Sequence, residues 1–428
     1  MNWRYICVCF CILYIVCKLT PFVLDNMNCN ILSRALKKSL EPKNPFLYMF
    51  THKHNYVNVY MKWKKDPNFD TIESVNMSIE LKPLISLKNC IANSPNGCIP
   101  ITDVSKRGLQ LDVPCKVARF LRLYPSVFEE FVGPNYNLPW FKLTRKAVEL
   151  DQEERAVYRD FRDDLQGRLK KFILMSGDKR LPLKIIRGMQ WYLGLPDEYL
   201  DDPEKNLDGC FRIVDIEDGL KGLAVECEEK VLSFVQRNAM RRGGYNGGSM
   251  EVVEFPLFPS KGMRLKRKIG DWFDKFQEVP YVSPYAEYWG LDSDSDVAEK
   301  RIVGVLHEMH CLFVEHAAER KKLLCLKKYM GLPQKFHKVF ERHPYIFYLS
   351  LMNKTCTTVL KEPYCDRLSI EAHPLSKIRK RYIGLMKESA VILKSRRLKN
   401  QFNHQQNLSL NQDMGCLSDP KTEAVAHT

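Results

Sequence analysis

The sequence predicts an α+β fold of about three repeated units, each a pair of helices followed by a β-hairpin, stacked on one another into an extended domain. The first observation is an internal echo: Trp191-Tyr192-Leu193-Gly194-Leu195-Pro196-Asp197-Glu198-Tyr199 returns as Lys328-Tyr329-Met330-Gly331-Leu332-Pro333-Gln334-Lys335-Phe336. The second is that each copy leads into two β-rich runs around a turn. These are Phe211–Ile216, Glu217-Asp218-Gly219 and Leu223–Val225 after the first copy, and Arg342–Ser350, Asn353-Lys354 and Thr357–Leu360 after the second. The third is a fainter version upstream, where Val117–Phe128 resembles Val339–Phe347. In both full copies a helix ending at glycine should be stopped by the proline two residues on, with a second short helix after it. Units too small to bury their own apolar faces gain by stacking, which leaves a long surface for a long ligand.

Taken from the N-terminus, Tyr5–Cys17 is a thirteen-residue apolar run between Arg4 and Lys18, too short for a bilayer span and closer to a signal-peptide core. From Met27 to Lys65 the character changes: Arg34, Lys37, Lys38, Lys43, Lys53, Lys62, Lys64 and Lys65 face a single acid, Glu41. Ile31, Leu32, Ala35 and Leu36 fall on one side of a basic amphipathic helix, the pattern that organelle import reads. Met27 is therefore expected to be the working start, with residues 1–26 an upstream extension or apolar leader and 27–60 a transit peptide; a secretory signal is the competing reading. The folded domain is expected over 61–390, and a polar, Gln/Asn-rich disordered tail over 391–428.

Within the domain, Arg241–Gly248, Pro256, Pro259 and the basic run Lys261–Lys268 read as a connector. The longest helix should start at Asp296 as N-cap, with Glu299 completing a capping box. Its buried stripe would be Ile302, Leu306, Met309, Phe313 and Ala317, with Arg301, Glu308, Glu315 and Glu319 on another face.

Composition narrows the function. With 45% hydrophobic and 27% charged residues the chain is globular, and Lys plus Arg at 66 against Asp plus Glu at 51 gives +15, which asks for a polyanionic partner. Of the fifteen cysteines, those beyond the N-terminal cluster of Cys7, Cys9, Cys11 and Cys17 are scattered singly, as in a reducing compartment, so the sequons at Asn76, Asn353 and Asn407 carry no weight. His307-Glu308-Met309-His310 misses the zinc-protease spacing because Cys311 stands at the position of the second histidine. Asp292–Asp296 opens like a calcium loop, but Val297 and Val303 occupy the places of the required Gly and Glu. The glycines at 243–248 lack the lysine of a phosphate loop. No cofactor and no catalytic centre are expected.

Basic residues interleaved with aromatics are the positive signal. The candidates are Lys62, Trp63, Lys64 and Lys65; Lys170 and Lys171; Arg264, Lys266, Arg267 and Lys268; Arg320, Lys321, Lys322, Lys327 and Lys328; and Arg342, with Tyr281 and Tyr285, beside Tyr348, for stacking bases. Lysine and arginine displace condensed counterions, and exposed aromatics hold unpaired bases. Single-stranded or structured RNA fits better than duplex DNA, since no recognition-helix module is visible. Two rivals stay open: a metal-dependent hydrolase using His307 and His310, and a protein-interaction scaffold built from the same repeats.

The chain resembles the plant organelle RNA recognition domain family over roughly residues 60–390. The matching stretches include Trp63–Pro67, Leu138–Thr144, Leu169–Ser176, Trp191–Pro196, Phe255–Gly262, Pro280–Tyr285, Ala298–Arg301, Leu332–Lys335 and Arg342–Pro344. The resemblance implies a mitochondrial protein, with 27–60 its mitochondrial transit peptide, that binds group II intron RNA and promotes its splicing without catalysing it. It also implies other splicing factors as partners and no stable membrane insertion. It lends no residue-level binding map, so the candidate residues rest on charge and stacking.

Overall fold

Every hairpin legible in the sequence acquires a third strand, and the same small antiparallel sheet is built three times. In the computed structural model the described residues are 65–415 except 109, 134–137, 217–218, 227–229, 249, 264–266, 288–289, 293, 353–354 and 367–369, with side chains described up to 401 and not at 268. The leader, the transit segment and the hairpin tips Glu217-Asp218 and Asn353-Lys354 lie outside them.

Two short helices, α1 (Pro67–Asp70) and α2 (Glu73–Asn76), lead into the first module: α3 (Ser78–Ala92), β1 (Cys98–Pro100), α4 (Ile101–Arg107), α5 (Val117–Leu123), β2 (Phe128–Val132) and β3 (Pro139–Leu143). After α6 (Arg145–Asp160) the second module has α7 (Arg162–Leu174), β4 (Arg180–Pro182), α8 (Leu183–Leu193), α9 (Glu198–Asp201), α10 (Pro203–Asn206), β5 (Phe211–Ile216) and β6 (Leu220–Val225). The connector carries α11 (Phe234–Arg241) and α12 (Arg267–Glu278). The third module has α13 (Asp296–Leu312), β7 (Ala317–Glu319), α14 (Arg320–Leu324), a 3-10 turn (Phe336–Lys338), α15 (Val339–Arg342), β8 (Phe347–Ser350) and β9 (Thr357–Leu360). A short α16 (Glu362–Cys365) and the long α17 (Pro374–Gly415) close the chain.

The strand orders are β1-β3-β2, β4-β6-β5 and β7-β9-β8, so the last strand of each module is always central. Phe141 pairs with both Ile99 and Glu130, Leu223 with Leu181 and Ile213, and Thr358 with Ala318 and Leu349. The expected unit of two helices and a hairpin is thus amended: a lead helix and a three-residue strand precede the helices. Three residues show no periodicity of their own; the strand exists because the hairpin's second strand has a free edge to pair.

The aligned stretches Val117–Phe128 and Val339–Phe347 occupy the same place, a helix entering the first hairpin strand. At the first Gly-Leu-Pro copy α8 ends on Gly194, whose φ of 73° only glycine adopts at no cost. A Cβ there would also sit 2.6 Å from a methyl of Val314, so the stop is packed against the third module. The second copy differs: α14 ends at Leu324 and turns carry the chain to Gly331.

One core joins the second module, the connector and the third module, around α13. Another joins the first module to Ile378, Tyr382, Ile383 and Met386 of α17, and a small third one lays Phe69 and Val75 on Ala317, Tyr348 and Val359. Two expectations about α13 are corrected. Its N-cap is Ser295, whose hydroxyl accepts from the Ala298 amide, one residue before Asp296. It is also not amphipathic, since every residue from Val297 to Leu312 is buried, Arg301 and Glu308 included. Elements on all sides supply polar partners, which a 3.6 period cannot reveal. Glu299 meets Arg342 at 2.9 Å and His343 at 3.1 Å; the Lys300 ammonium donates to the carbonyls of Gln277 and Val279; Tyr285 donates to Glu308 at 2.6 Å. Past 391, where the polar tail is expected to begin, α17 continues to Gly415. Once its first turns dock on α6, each further residue adds a hydrogen bond without a new nucleus.

The buried histidines give the fold an acid limit. Burial pushes His310 and His316 down to about 4, with the charge of Arg168 adding to the effect at His316, and His373 likewise beside Arg168. A histidine depressed in the folded state stabilises above its unfolded value near 6.5 and loses that contribution as pH falls towards 4. Unfolding free energy should therefore fall between pH 6.5 and 4, by up to about 1.4 kcal/mol per pH unit for each such histidine. Urea titrations through that range check it; a stability unchanged from neutral pH down to 4 would contradict the burial.

Candidate nucleic-acid interface

Arg320, Lys321 and Lys322 follow one another on α14, so their side chains fan around the helix at about 100° apart while Leu323 enters the core. Arg320 lies 3.8 Å from Glu341 and Lys321 3.5 Å from Glu319. The fold brings this run next to the first module. Lys82 of α3 donates to Asp112 at 3.0 Å, and this bond holds the Asp112 carboxyl below the usual range against a desolvation that opposes it. The charges of Lys322 and Lys321 lower it further. Lysines from two modules thus act on one carboxylate, Lys82 by direct contact and Lys321 and Lys322 through their charge. At the margin of this group the pKa of the His337 imidazole is lowered first by burial and then by the charge of Arg320, with exposed Lys338 beside it.

The other sequence candidates scatter. Lys62, Trp63, Lys64, Arg264 and Lys266 lie outside the described residues, and Lys268 lies on α12 with its side chain outside them. Lys65 and Arg267 are exposed. Lys170 and Lys171 are half-buried on α7, and burial, then the charge of Arg237, lowers the Lys171 ammonium. Lys327 donates to Gln334, and Lys328 is exposed. Arg342 is committed to Glu299 with 15% of its side chain exposed.

The stacking roles of Tyr281 and Tyr285 are corrected. Tyr281 is 2% exposed, with its hydroxyl 3.0 Å from that of Ser233, and Tyr285 is tied to Glu308 against the core. The Tyr281 ring is thereby closed to a base, while Tyr285 is half-buried with its hydroxyl committed. Tyr348 is buried too, stacked on Phe69 at 5.1 Å.

A platform of the right kind is at Trp140 instead. It is half-buried on β3, between Pro100 and Phe131 in the sheet, and rests on Gly133, where a Cβ would collide with the indole. Trp140 lines a groove of about 910 Å³ between the first module and α8, together with Asn89, Asn96, Arg107, Gln110 and Arg187. Amides that both donate and accept, one indole and guanidinium groups suit unpaired bases on a phosphate chain. Sequence reasoning missed this groove because its walls come from chain segments a hundred residues apart. It also missed Lys394, Arg396, Arg397 and Lys399, all exposed on α17 and none in an ion pair among the described residues. The basic run there was legible, but its polar surroundings read as a tail.

The histidines of the hydrolase rival are engaged within the protein. His307 Nε2 meets Glu362 at 2.8 Å, and His310 meets the Leu306 carbonyl at 2.6 Å and the Thr358 hydroxyl at 2.8 Å. Among the described residues no group of three His, Cys, Asp or Glu could hold a metal ion, and no helix is long and apolar enough to cross a membrane.

Comparison with known proteins places these features in a family context. The model of the plant organelle RNA recognition domain matches residues 64–391. The chain is 63% identical over 351 residues, 81% of this chain and 90% of the relative, to Protein WHAT'S THIS FACTOR 9, mitochondrial, of Arabidopsis thaliana. It is 26% identical over 338 residues, 76% of this chain and 67% of the relative, to Protein WHAT'S THIS FACTOR 1, chloroplastic, of Zea mays. It is 27% identical over 350 residues, 75% of this chain and 82% of the relative, to Protein ROOT PRIMORDIUM DEFECTIVE 1 of Arabidopsis thaliana. No solved structure matches.

Proposed function

Because the chain belongs to the plant organelle RNA recognition domain family, we propose that it is a non-catalytic mitochondrial protein that binds group II intron RNA and promotes its splicing by holding the RNA in its competent fold. The observation that carries this reading is the basic patch of Lys82, Lys321 and Lys322, assembled from two modules around Asp112. Phosphates would lie across this patch and along α17, and unpaired bases in the groove beside Trp140. The chemistry of splicing stays with the RNA, and other splicing factors would assist. The domain is taken as 61–390, preceded by an import segment over 27–60.

Filter binding of the full chain to intron RNA across a salt series is the direct test. The logarithm of the affinity should fall steeply and linearly with that of the salt concentration, and joint replacement of Arg264, Lys266, Arg267 and Lys268 by Ala should weaken it. A flat salt response counts against the reading. Trp140→Ala is expected to cost about 1–3 kcal/mol of RNA affinity, the worth of one stacked base, with the salt slope unchanged. Equal affinity of this variant and the parent would remove Trp140 from the interface.

A further inference from the structure

Outside the groove and the basic patch, a second cavity of about 330 Å³ opens between α11 and the connector. That is the size of a site for one small ligand rather than a length of chain. Glu362, at the start of α16, lines it and is 1% exposed. One of its oxygens, Oε2, is held by His307 at 2.8 Å; the other, Oε1, is buried with no hydrogen-bond partner. A buried carboxylate oxygen without a donor is costly to the fold, and a ligand in the adjoining cavity that brings a donor to Glu362 would relieve that cost. Glu254 adds a second acceptor to the lining, Asn238 and Arg242 add donors, and Val252 and Pro256 give apolar walls.

We propose that this cavity seats one unpaired guanine base of the bound RNA, with Glu362 accepting from its Watson–Crick edge; the inference rests on the RNA-binding reading above. A carboxylate offers only lone pairs, so its ligand must present donors. Guanine has an imino N1–H and a 2-amino group side by side, which suits the acceptors Glu362 and Glu254, with O6 next to them for Asn238 or Arg242. Adenine and cytosine place an acceptor nitrogen beside a single amino group, and uracil flanks one donor with two carbonyls, so each would set a lone pair against a carboxylate. A lysine or arginine from a protein also supplies donors. It would bring its charge against Arg242, which is exposed and without an ion-pair partner among the described residues. A neutral base on a phosphate chain meets no such repulsion, and Arg242 can hold its phosphate.

The test compares the full chain bound to three probes: a short oligouridine, the same oligomer with one central guanosine, and that oligomer with inosine, which lacks the 2-amino group. The guanosine oligomer should bind about tenfold more tightly than oligouridine, and inosine should forfeit most of the gain. Glu362→Gln should abolish the preference. Val252→Trp should do the same by filling the mouth; since Val252 is 47% exposed, this variant keeps the core intact if Glu362→Gln fails to fold. Both should bind oligouridine with unchanged affinity and salt slope. Equal binding of the guanosine and uridine oligomers, or a preference that survives Val252→Trp, overturns the guanine site and leaves a cationic side chain of a protein as its occupant. In that case a steep salt slope with oligouridine still upholds RNA binding. Failure to bind any of the probes would instead overturn the RNA-binding reading itself.

Discussion

Lys88→Met is expected to lower the unfolding free energy by about 3 to 5 kcal/mol, the loss that follows when one partner of a buried ion pair is removed. Lys88 is 2% exposed on α3, and its ammonium lies 2.6 Å from Asp151 and 2.8 Å from Glu154 of α6. Tyr382 of α17 donates to the same Glu154 at 3.2 Å, Tyr158 at 3.4 Å, and Arg155 holds the other oxygen of Asp151 at 2.8 Å. Three helices therefore meet on one buried cation. Methionine matches its shape but leaves two carboxylates enclosed with a single remaining arginine. Urea denaturation at neutral pH reads the effect, and a loss below about 1 kcal/mol would show the network to be solvated. Adding Asp151→Asn and Glu154→Gln should return part of the stability, because apolar or neutral groups of the same shape leave nothing uncompensated.

Replacing Lys82, Lys321 and Lys322 together by Ala is expected to weaken binding to single-stranded RNA about tenfold or more at low salt. The slope of log affinity against log salt should shrink by about 2, at roughly 0.7 for each phosphate no longer neutralised. These side chains are exposed or half-exposed, so the melting temperature should barely move. The same triple change with sequence-independent loss of affinity would mark the patch as a phosphate clamp, whereas an unchanged slope would mean that phosphates run elsewhere, with α17 the next face to test. Loss of stability in Lys88→Met and loss of affinity in the triple variant are separable, because the first acts below the surface and the second upon it.

Much of the fold could be read from residues alone. The Gly-Leu-Pro echo marks a real helix stop at Gly194, the β-rich runs at 211–216 and 347–350 are strands, and the faint likeness of 117–128 to 339–347 points to one position in two modules. What failed had a common physical origin. The three-residue strands β1, β4 and β7 are too short to carry a pattern. Helix α13 has a pattern that misleads, because its charged residues are buried against partners from distant segments. Tyr281 and Tyr285 look like stacking aromatics in sequence, yet their hydroxyls are tied to Ser233 and Glu308 by the packing.

The amino-acid sequence by itself determined the α+β class and pointed to a polyanionic partner, since net charge, chain punctuation and hairpin alternation are local or additive properties that need no knowledge of what packs on what. Only the tertiary structure decided which cations act together, that Trp140 rather than the conspicuous tyrosines lines a groove, and that a glutamate at 362 keeps one oxygen unspent beside a cavity. Those outcomes depend on burial and on side chains meeting across hundreds of residues, and desolvation is a property of the packed surroundings rather than of any residue taken alone.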